Sequence, residues 1–240
     1  MQTLMPSLEI LYKDEHIVAI NKPHGLLVHR TKMAKDATEF ALQQLRDQLG
    51  QPVYPAHRID RKTGGILLFA LNDAVNRQLQ ILFAERKMSK TYLSIVRGFS
   101  EDEGEIDYPL VSESGKTQES KTTYNTLAKA ELNVPFGKHS TSRYSLVKVV
   151  PETGRMHQIR KHLAHILHPI IADRAHGCNK QNRLFKEKWA MDTMLLHAWK
   201  LSFDHPITSE KIEIKAELQS EFVRMMELMD FRLEEHAQCY

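Results

Sequence analysis

The sequence predicts an α+β protein. Strand and helix patterns alternate along the chain, and no Ser- or Gly-rich linker separates them. A short apolar run at 66–71 has the length of one buried strand. At 240 residues, the chain is long enough for one large domain with a substantial core or for two small ones. We expect a single domain, since no composition shift marks a boundary.

The first half of the chain carries patterns for three strands and two helices. The strands are predicted at 8–12, 17–21 and 66–69. A helix is predicted over 37–49, where Gly50 would end it, and another over 72–83, where an Asn-Asp pair would begin it.

The second half continues the alternation after a polar segment. Strands are predicted at 90–97, 123–132 and 145–150, while 101–122 is expected to wind over the surface. A helix is predicted over 157–168 with an apolar face that includes Leu163 and Leu167. The last helix, 217–235, carries a methionine stripe that is typical of core packing.

Several classes of protein are not indicated. The longest apolar run is too short to cross a bilayer, and the N-terminus lacks the pattern of a signal peptide, so we expect a cytoplasmic protein without a membrane partner. Cys178 and Cys239 form no CxxC arrangement and are expected to be free thiols. Three histidines recur every third residue from 162 to 168, but that spacing walks around a helix, and we predict no metal site.

Positive charge is concentrated in one part of the chain. Residues 138–188 contain eleven Lys and Arg but only three acids, a balance of +8, whereas the remainder is −5. A solvated basic face without a partner is one interpretation of this pattern. A phosphate-rich partner is the other, and if these residues share a face with a reactive group, nucleic acid is the expected substrate class.

The segment 54–70, YPAHRIDRKTGGILLFA, contains the strongest candidate for chemistry. Asp60 lies between Arg58 and Arg61 in a polar loop that is anchored by the apolar strand after it. An isolated Asp in this setting is commonly a turn residue in a solvated ion pair, and that interpretation stays open from the residue pattern alone.

Three ordered segments resemble the motifs of one known enzyme family. His57–Asp60 followed by Thr63, Gly65 and Ala70, the strand segment Lys90–Tyr92, and Thr153–Arg160 are similar to the signatures of the RluA-type pseudouridine synthases. The resemblance extends over about residues 8 to 215. It departs at Gly64, where relatives often have Ser, so a side-chain hydrogen bond from that position is not expected.

The resemblance implies both a fold and a reaction. The expected fold is one pseudouridine synthase catalytic domain at 8–235, built on a curved, mixed, mainly antiparallel sheet with helices packed on it and a basic active-site cleft. Residues 1–7 would be an extension and 236–240 a tail, without the S4-type RNA-binding domain of many relatives. The implied reaction detaches a flipped-out uracil from its ribose and rejoins it through carbon, without a cofactor or metal.

The family's site residues map onto this sequence by motif position. Asp60 matches the catalytic aspartate, and Arg160 is the expected cation that keeps it ionised. Tyr92 matches a tyrosine that stacks on the uracil, with a base role at carbon 5 as the alternative. Arg58 would fill the space left by the flipped uridine, with Leu163 beside the pocket and His57 in support.

Further basic residues are candidates for RNA binding. They are Arg30, Arg61, Arg143, Arg155, Lys161 and Arg183. No protein partner is required, and a monomer is expected.

Shorter segments indicate the target. Gly25–Arg30, Thr141–Tyr144, and His176–Gly177 with Gln181–Arg183 are similar to the corresponding segments of the family members that modify uridine 65 of tRNA. Ribosomal RNA or another tRNA position is the alternative substrate. A non-catalytic RNA-binding protein or tRNA chaperone is the remaining alternative, which the presence of Asp60, Tyr92 and Arg160 disfavours.

Overall fold

A computed structural model describes residues 7–29 and 38–233. The strands are β1 (Glu9–Lys13), β2 (Ile17–Lys22), β3 (Tyr54–Pro55), β4 (Gly64–Ala70), β5 (Ser89–Arg97), β6 (Glu103–Asp107), β7 (Leu110–Val111), β8 (Thr117–Gln118), β9 (Lys121–Leu132), β10 (Ser142–Pro151), β11 (Leu196–Asp204) and β12 (Lys211–Lys215). The helices are α1 (Ala41–Leu49), α2 (Asp73–Ala84), α3 (Gln158–His165), α4 (Asn179–Trp189) and α5 (Ser220–Leu228). Several predicted features lie outside the described residues, among them Arg30, residue 37 at the start of the predicted helix 37–49, and the tail 236–240.

The chain divides into two compact units. The first comprises Met1–Thr91 and His197–Gln219, and the second comprises Tyr92–Leu196 and Ser220–Tyr240. In the first unit the strands follow the order β1, β2, β4, β11, β12, and β3 pairs with β4. The β4–β11 pair is parallel and the others are antiparallel.

Strand β4 is the centre of the first unit's core. Ile66, Leu68 and Ala70 pack into one buried cluster, whereas Leu67 and Phe69 pack into another. Successive side chains of a strand point to opposite faces, so β4 is buried on both sides. This burial gives the loop before β4 a rigid attachment.

Two predicted helix boundaries of the first unit are confirmed, the start of α2 and the end of α1, whereas α1 begins only at Ala41, so residues 38–40 of the predicted helix 37–49 lie before it. Asn72 begins α2, where its side chain accepts a 2.9 Å hydrogen bond from the backbone N–H of Val75. Gly50 ends α1 in the left-handed conformation, φ 66°, which glycine adopts without steric cost.

The second unit is built on an antiparallel sheet. Its strands follow the order β5, β10, β9, β6, and β7 pairs with β8 in a separate hairpin. Its core cluster includes Val147 and Val149 from β10 and Ile159 and Leu163 from α3. In α5 the methionine stripe is buried, with Met225 fully inaccessible, as the sequence predicted.

The α+β class is confirmed, and the parallel β4–β11 pair makes the sheet mixed. The polar segment 101–122 is largely exposed, as expected, but it is not irregular throughout, because it contains β6, β7 and β8. The predicted helix 157–168 is too long. It ends at His165, and Leu167 adopts a left-handed φ of 66° with 82% exposure instead of joining the apolar face.

Candidate active site

Asp60 lies in the loop between β3 and β4, half-buried, at the start of a closed turn. Its backbone carbonyl accepts a 3.0 Å hydrogen bond from the N–H of Thr63, a buried residue. The next residue, Arg61, is tied reciprocally to Gly25: the N–H of Gly25 donates to the Arg61 carbonyl, and Arg61 Nε donates to the Gly25 carbonyl. The loop is therefore fixed on two sides, as a positioned reactive group requires.

Lys22 is a site residue that the sequence reasoning missed. Its side chain is fully buried, and its Nζ donates hydrogen bonds to three backbone carbonyls, those of Pro23, Leu26 and Arg61. Burial lowers the pKa of Lys22 to about 7, while the negative charge of Asp60 opposes this shift. Lys22 thus places an amino group, about half-protonated at pH 7, within electrostatic reach of Asp60, and it holds the carbonyl of the neighbouring Arg61.

His57 supports the same loop. Its Nε2 accepts a 3.1 Å hydrogen bond from the backbone N–H of Leu68 in β4, and its ring lies 4.7 Å from the ring of Phe83. Burial lowers the pKa of His57 to about 3, and the charge of Lys90 acts in the same direction. His57 is therefore neutral near pH 7, and as an acceptor it links the Asp60 loop to β4.

Close packing explains why both residues at the start of β4 are glycines. Gly65 adopts a φ of 103°, and a Cβ there would collide with the carbonyl of Ala198 in β11. A Cβ on Gly64 would collide with the side-chain amide of Gln219. That amide clamps the segment after β2, because it donates to the Lys22 carbonyl and accepts from the N–H of His24.

In the second unit, Arg160 is buried on α3 and forms a two-pronged ion pair with Asp173. Nε and Nη2 of Arg160 each donate a 2.7 Å hydrogen bond to the Asp173 carboxylate. The same carboxylate accepts from the N–H groups of Ala175 and His176. Burial alone would raise the pKa of Asp173, but Arg160 and these backbone donors hold it below its ordinary value. Asp173 is a second residue that the sequence reasoning missed.

Tyr92 and Leu163 come together in the second unit. Tyr92 lies on β5, half-buried, and packs against the buried cluster that contains Leu163 and Ile159 of α3. Leu163 is only 1% exposed. The structure thus provides an aromatic ring with an apolar backing, as a stacking role requires.

The start of α3 is shaped by polar side chains. Gln158 is buried, and its amide donates to Thr122 Oγ1 and the Lys121 carbonyl while accepting from Thr153 Oγ1 and the Arg155 N–H. His157 precedes it with a left-handed φ of 56°, and its Nδ1 lies 2.9 Å from Nε2 of His176.

The histidines of α3 have other partners than a metal. His162 is fully buried, where its ring nitrogens contact Ser120, Thr122 and the carbonyl of Tyr108. His165 stacks on Tyr108 at 3.8 Å. Over residues 7–29 and 38–233, no group of three or more His, Cys, Asp or Glu side chains is arranged to hold a metal ion.

The predicted RNA-binding residues differ in exposure and in the contacts that they make within the protein. Arg58, Arg61 and Arg183 are exposed. Lys161 is half-buried on α3, and Arg155, also half-buried, donates to the Glu119 carbonyl. Arg143 is exposed, but it is ion-paired with Glu131 and lies over the ring of Phe99.

The fold and these sites define an α+β protein with the catalytic motifs of a uridine-modifying enzyme, and comparison with known proteins agrees. Residues 16–165 match the family model for RNA pseudouridylate synthase. The chain belongs to this family, in the RluA-type group.

Relatives extend over almost the whole chain. A protein of Vibrio parahaemolyticus serotype O3:K6 (strain RIMD 2210633), named tRNA pseudouridine synthase C, is 47% identical over 88% of this chain and 90% of its own. A protein of Pasteurella multocida (strain Pm70) with the same name is 43% identical over 95% and 98%. The solved structure of human RNA pseudouridylate synthase domain containing 4 superposes with a TM-score of 0.71 over 92% of this chain and 93% of its own, at 24% identity, which supports the fold.

Within the described part of the chain, none of the helices has the length and apolarity to span a membrane.

Proposed function

We propose that this protein isomerises uridine 65 of tRNA to pseudouridine. The relatives with 43–47% identity are named tRNA pseudouridine synthase C, and the segments around Gly25, Thr141 and His176 carry the resemblance to the members that act at position 65. The observation that carries the chemistry is Asp60, held on a fixed turn beside a buried strand with Lys22 as a neighbouring cation.

Asp60 is the catalytic nucleophile in this proposal. The Asp60 carboxylate forms a bond to the ribose C1′ as the bond between C1′ and uracil N1 breaks. The base turns, and a bond between C1′ and C5 forms as the bond between Asp60 and C1′ breaks. The C5 proton leaves to a base, and N1 regains a proton. An ionised carboxylate is required at the start, and the nearby charge of Lys22 favours that state over the protonated one.

Tyr92 is proposed to stack on the flipped uracil. Tyr92 lies on β5 and packs against the buried apolar cluster that includes Leu163 and Ile159, so the base would rest on a ring with an apolar support. The alternative role, in which Tyr92 removes the C5 proton, needs a phenol whose pKa lies well below the ordinary value of about 10. Arg58, exposed in the Asp60 loop, is proposed to fill the gap in the RNA.

Arg160 remains our candidate for the cation that neutralises Asp60 in the complex. Its bond to Asp173 adds a constraint, because Asp173 fixes the plane of the guanidinium through two hydrogen bonds. A residue so held loses little conformational freedom when the substrate binds. Asp173 is thus proposed as a positioning residue for Arg160.

Binding is proposed to rest on phosphate contacts from Arg61, Arg155, Lys161 and Arg183, together with Arg143 and Arg30. Such contacts release counterions, so affinity for tRNA should fall steeply with salt. We also propose a catalytic domain at 8–235 that acts as a cytoplasmic monomer without a protein partner, cofactor or metal.

The test is a map of pseudouridine at single-nucleotide resolution after incubation with unmodified tRNA transcripts and ribosomal RNA fragments. Product at uridine 65 of tRNA, absent with Asp60→Ala, is the expected result. Product at another position or in ribosomal RNA would retain the enzyme class and reject the target. Tight binding without product on any RNA would support the non-catalytic alternative.

A further inference from the structure

We propose that the exposed face of α4 binds the phosphate backbone of the RNA substrate. Lys180, Arg183 and Lys186 form this surface, which we call the α4 basic face. The inference rests on the proposed function, which supplies the polyanion. All three residues fall in the basic stretch 138–188, but the helix itself was not predicted and only Arg183 was an individual candidate for RNA binding.

The three residues occupy one side of the helix. A spacing of three residues turns the helix by about −60°, so Lys180, Arg183 and Lys186 lie within about 120° of arc and about 9 Å of axial length. All three are exposed. The opposite side carries Gln181 and Phe185, which are buried. The helix therefore has a basic outer face and an anchored inner face.

The cations of this face have no acidic partner in the described ranges 7–29 and 38–233. Across the described residues, no acidic side chain lies within ion-pair distance of Lys180, Arg183 or Lys186. Glu187 has the i,i+4 spacing that would suit a pair with Arg183, yet the two do not form one. Placing like charges on adjacent turns destabilises a helix slightly, and a polyanion would remove that cost.

Other exposed cations show the contrast. Lys87 pairs with Glu85, Lys129 with Asp102, and Lys211 with Glu213. These lysines have their counter-charge in the chain itself, whereas the α4 basic face has none among the described residues. The exposed Glu187 lies on the same side of the helix, so this surface carries three cations against one acid and keeps a net positive charge, as is typical of nucleic-acid binding.

The helix is held firmly from below. Phe185 is fully buried between the rings of Tyr144 and Trp189, and the Gln181 amide donates a 2.5 Å hydrogen bond to Tyr144 Oη. Arg224 Nη2 donates to the carbonyl of Trp189 at the helix end. These contacts anchor the helix through its buried side and at its C-terminal end. The cations therefore lie on a rigid support, which reduces the entropic cost of binding.

The first turn of α4 is also tied to the Arg160 ion pair. The Asn182 side chain accepts from the N–H of Ala172 and donates to the carbonyl of Asp173, whose carboxylate holds Arg160. The α4 basic face and the predicted active-site arginine are thus parts of one hydrogen-bonded assembly within the second unit.

The test compares two triple variants with equal charge loss. Lys180→Gln, Arg183→Gln and Lys186→Gln together remove three positive charges from the α4 basic face. Lys87→Gln, Lys129→Gln and Lys211→Gln remove three from the paired lysines. Binding to unmodified tRNA is measured from low to high salt, and the single-turnover rate is measured with saturating enzyme. Urea midpoints confirm that each variant folds.

The α4 triple variant is expected to bind tRNA about 10- to 100-fold more weakly at low salt, and its slope of log K against log salt should shrink by about two to three. Its saturated single-turnover rate should equal that of the wild type. The control variant should keep its slope to within about one.

An unchanged slope for the α4 variant, or an equal loss in the control, would overturn the inference. Loss of binding to vesicles of anionic phospholipid with tRNA affinity retained would assign the face to a membrane and also overturn it. If the wild type makes product and the α4 variant binds as the wild type does, this inference fails alone. If the wild type makes no product on any RNA, the proposed function fails.

Discussion

Two carboxylates in the molecule, Asp173 and Asp60, differ in how completely they are enclosed. Asp173 is 1% exposed, and its carboxylate accepts four hydrogen bonds, two of them from Arg160. Asp60 is only half-buried, and the Nζ of the neighbouring Lys22 donates to three backbone carbonyls. The enclosed Asp173 fixes the orientation of Arg160, whereas the half-buried position of Asp60 leaves its carboxylate accessible to a substrate.

This contrast underlies the different roles that we propose for the buried Asp173 and the half-buried Asp60. A carboxylate with all its acceptor sites engaged by strong donors has little capacity for a new bond. A carboxylate beside a cation, at the surface of a cleft or loop, keeps its negative charge and can approach a reacting atom. The following predictions test this distinction.

The largest effect should come from removing the open carboxylate. Asp60→Ala should lower pseudouridine formation by at least about 10³-fold, because no other group replaces the nucleophile. Affinity for tRNA, measured by filter binding, should change little. Asp204→Ala, which removes an exposed carboxylate of the same unit, is the control and should keep full activity. Substantial turnover by Asp60→Ala would place the chemistry elsewhere.

Opening the closed pair should mainly cost stability. Asp173→Asn leaves the Arg160 charge buried without its counter-charge, which typically costs about 3–5 kcal/mol. Urea unfolding measures the loss. Asp102→Asn, which breaks the exposed pair with Lys129, should change stability little.

Activity separates positioning from folding at Asp173. If Asp173 orients Arg160, then Asp173→Glu, which keeps the charge but moves it, should retain more stability than Asp173→Asn yet lower kcat without a matching rise in KM. Equal kcat in the wild type and Asp173→Glu, measured below the unfolding transition, would show that Asp173 acts on folding alone.

Lys22 should make stability depend on pH. Its pKa is about 7 in the folded protein and near 10.5 in the unfolded chain, so between these values the unfolded state binds more protons. Stability should therefore rise with pH in this window, by up to about 1.4 kcal/mol per pH unit from this group. Lys22→Met should remove that contribution. Parallel stability curves for the two proteins from pH 7.5 to 9.5 would contradict the assignment.

The smallest expected effect is a difference in tRNA binding between variants of two exposed arginines. Arg61→Gln should weaken tRNA binding and lower the salt slope by about one. Arg143→Gln should weaken tRNA binding less, because the charge of Arg143 is already partly neutralised by Glu131. Salt titrations of both variants provide the comparison, and a larger slope change for Arg143→Gln would reverse our ranking of the two.

Elements with a strong local pattern were predictable from sequence. The run Ile66–Phe69 identified β4, although the structure extends it to both glycines because Gly65 pairs with Ala198. The cap at Asn72 identified the start of α2. These features depend on near neighbours in the chain, so their signals are local.

Helix α4 and the hairpin β7–β8 were not predicted, and composition explains why. Only Gln181 and Phe185 of α4 are buried, so the helix lacks an apolar stripe that a periodicity analysis detects. The hairpin strands are two residues each within a polar segment. Neither element has enough apolar residues for a sequence signal.

In the candidate site, Asp60 and Arg160 were predicted from their motifs, but Lys22 and Asp173 were not. Lys22 contacts the carbonyl of Arg61, which lies 39 residues away in the sequence. Asp173, the partner of Arg160, is in the sequence only one of three acids in a basic stretch, and nothing there links the two. Burial of a charge depends on tertiary packing, which residue patterns do not encode. A lysine at the end of a buried strand, followed by proline, was the available signal for Lys22.

The most direct test of the central claim follows the hydrogen at carbon 5. Unmodified tRNA containing uridine tritiated at C5 is incubated with excess wild-type protein and, separately, with Asp60→Asn. We predict release of one equivalent of tritium per tRNA by the wild type, with pseudouridine at position 65, and none by the variant. Tritium release by Asp60→Asn at the wild-type rate, or tight tRNA binding by the wild type without release, would contradict the account.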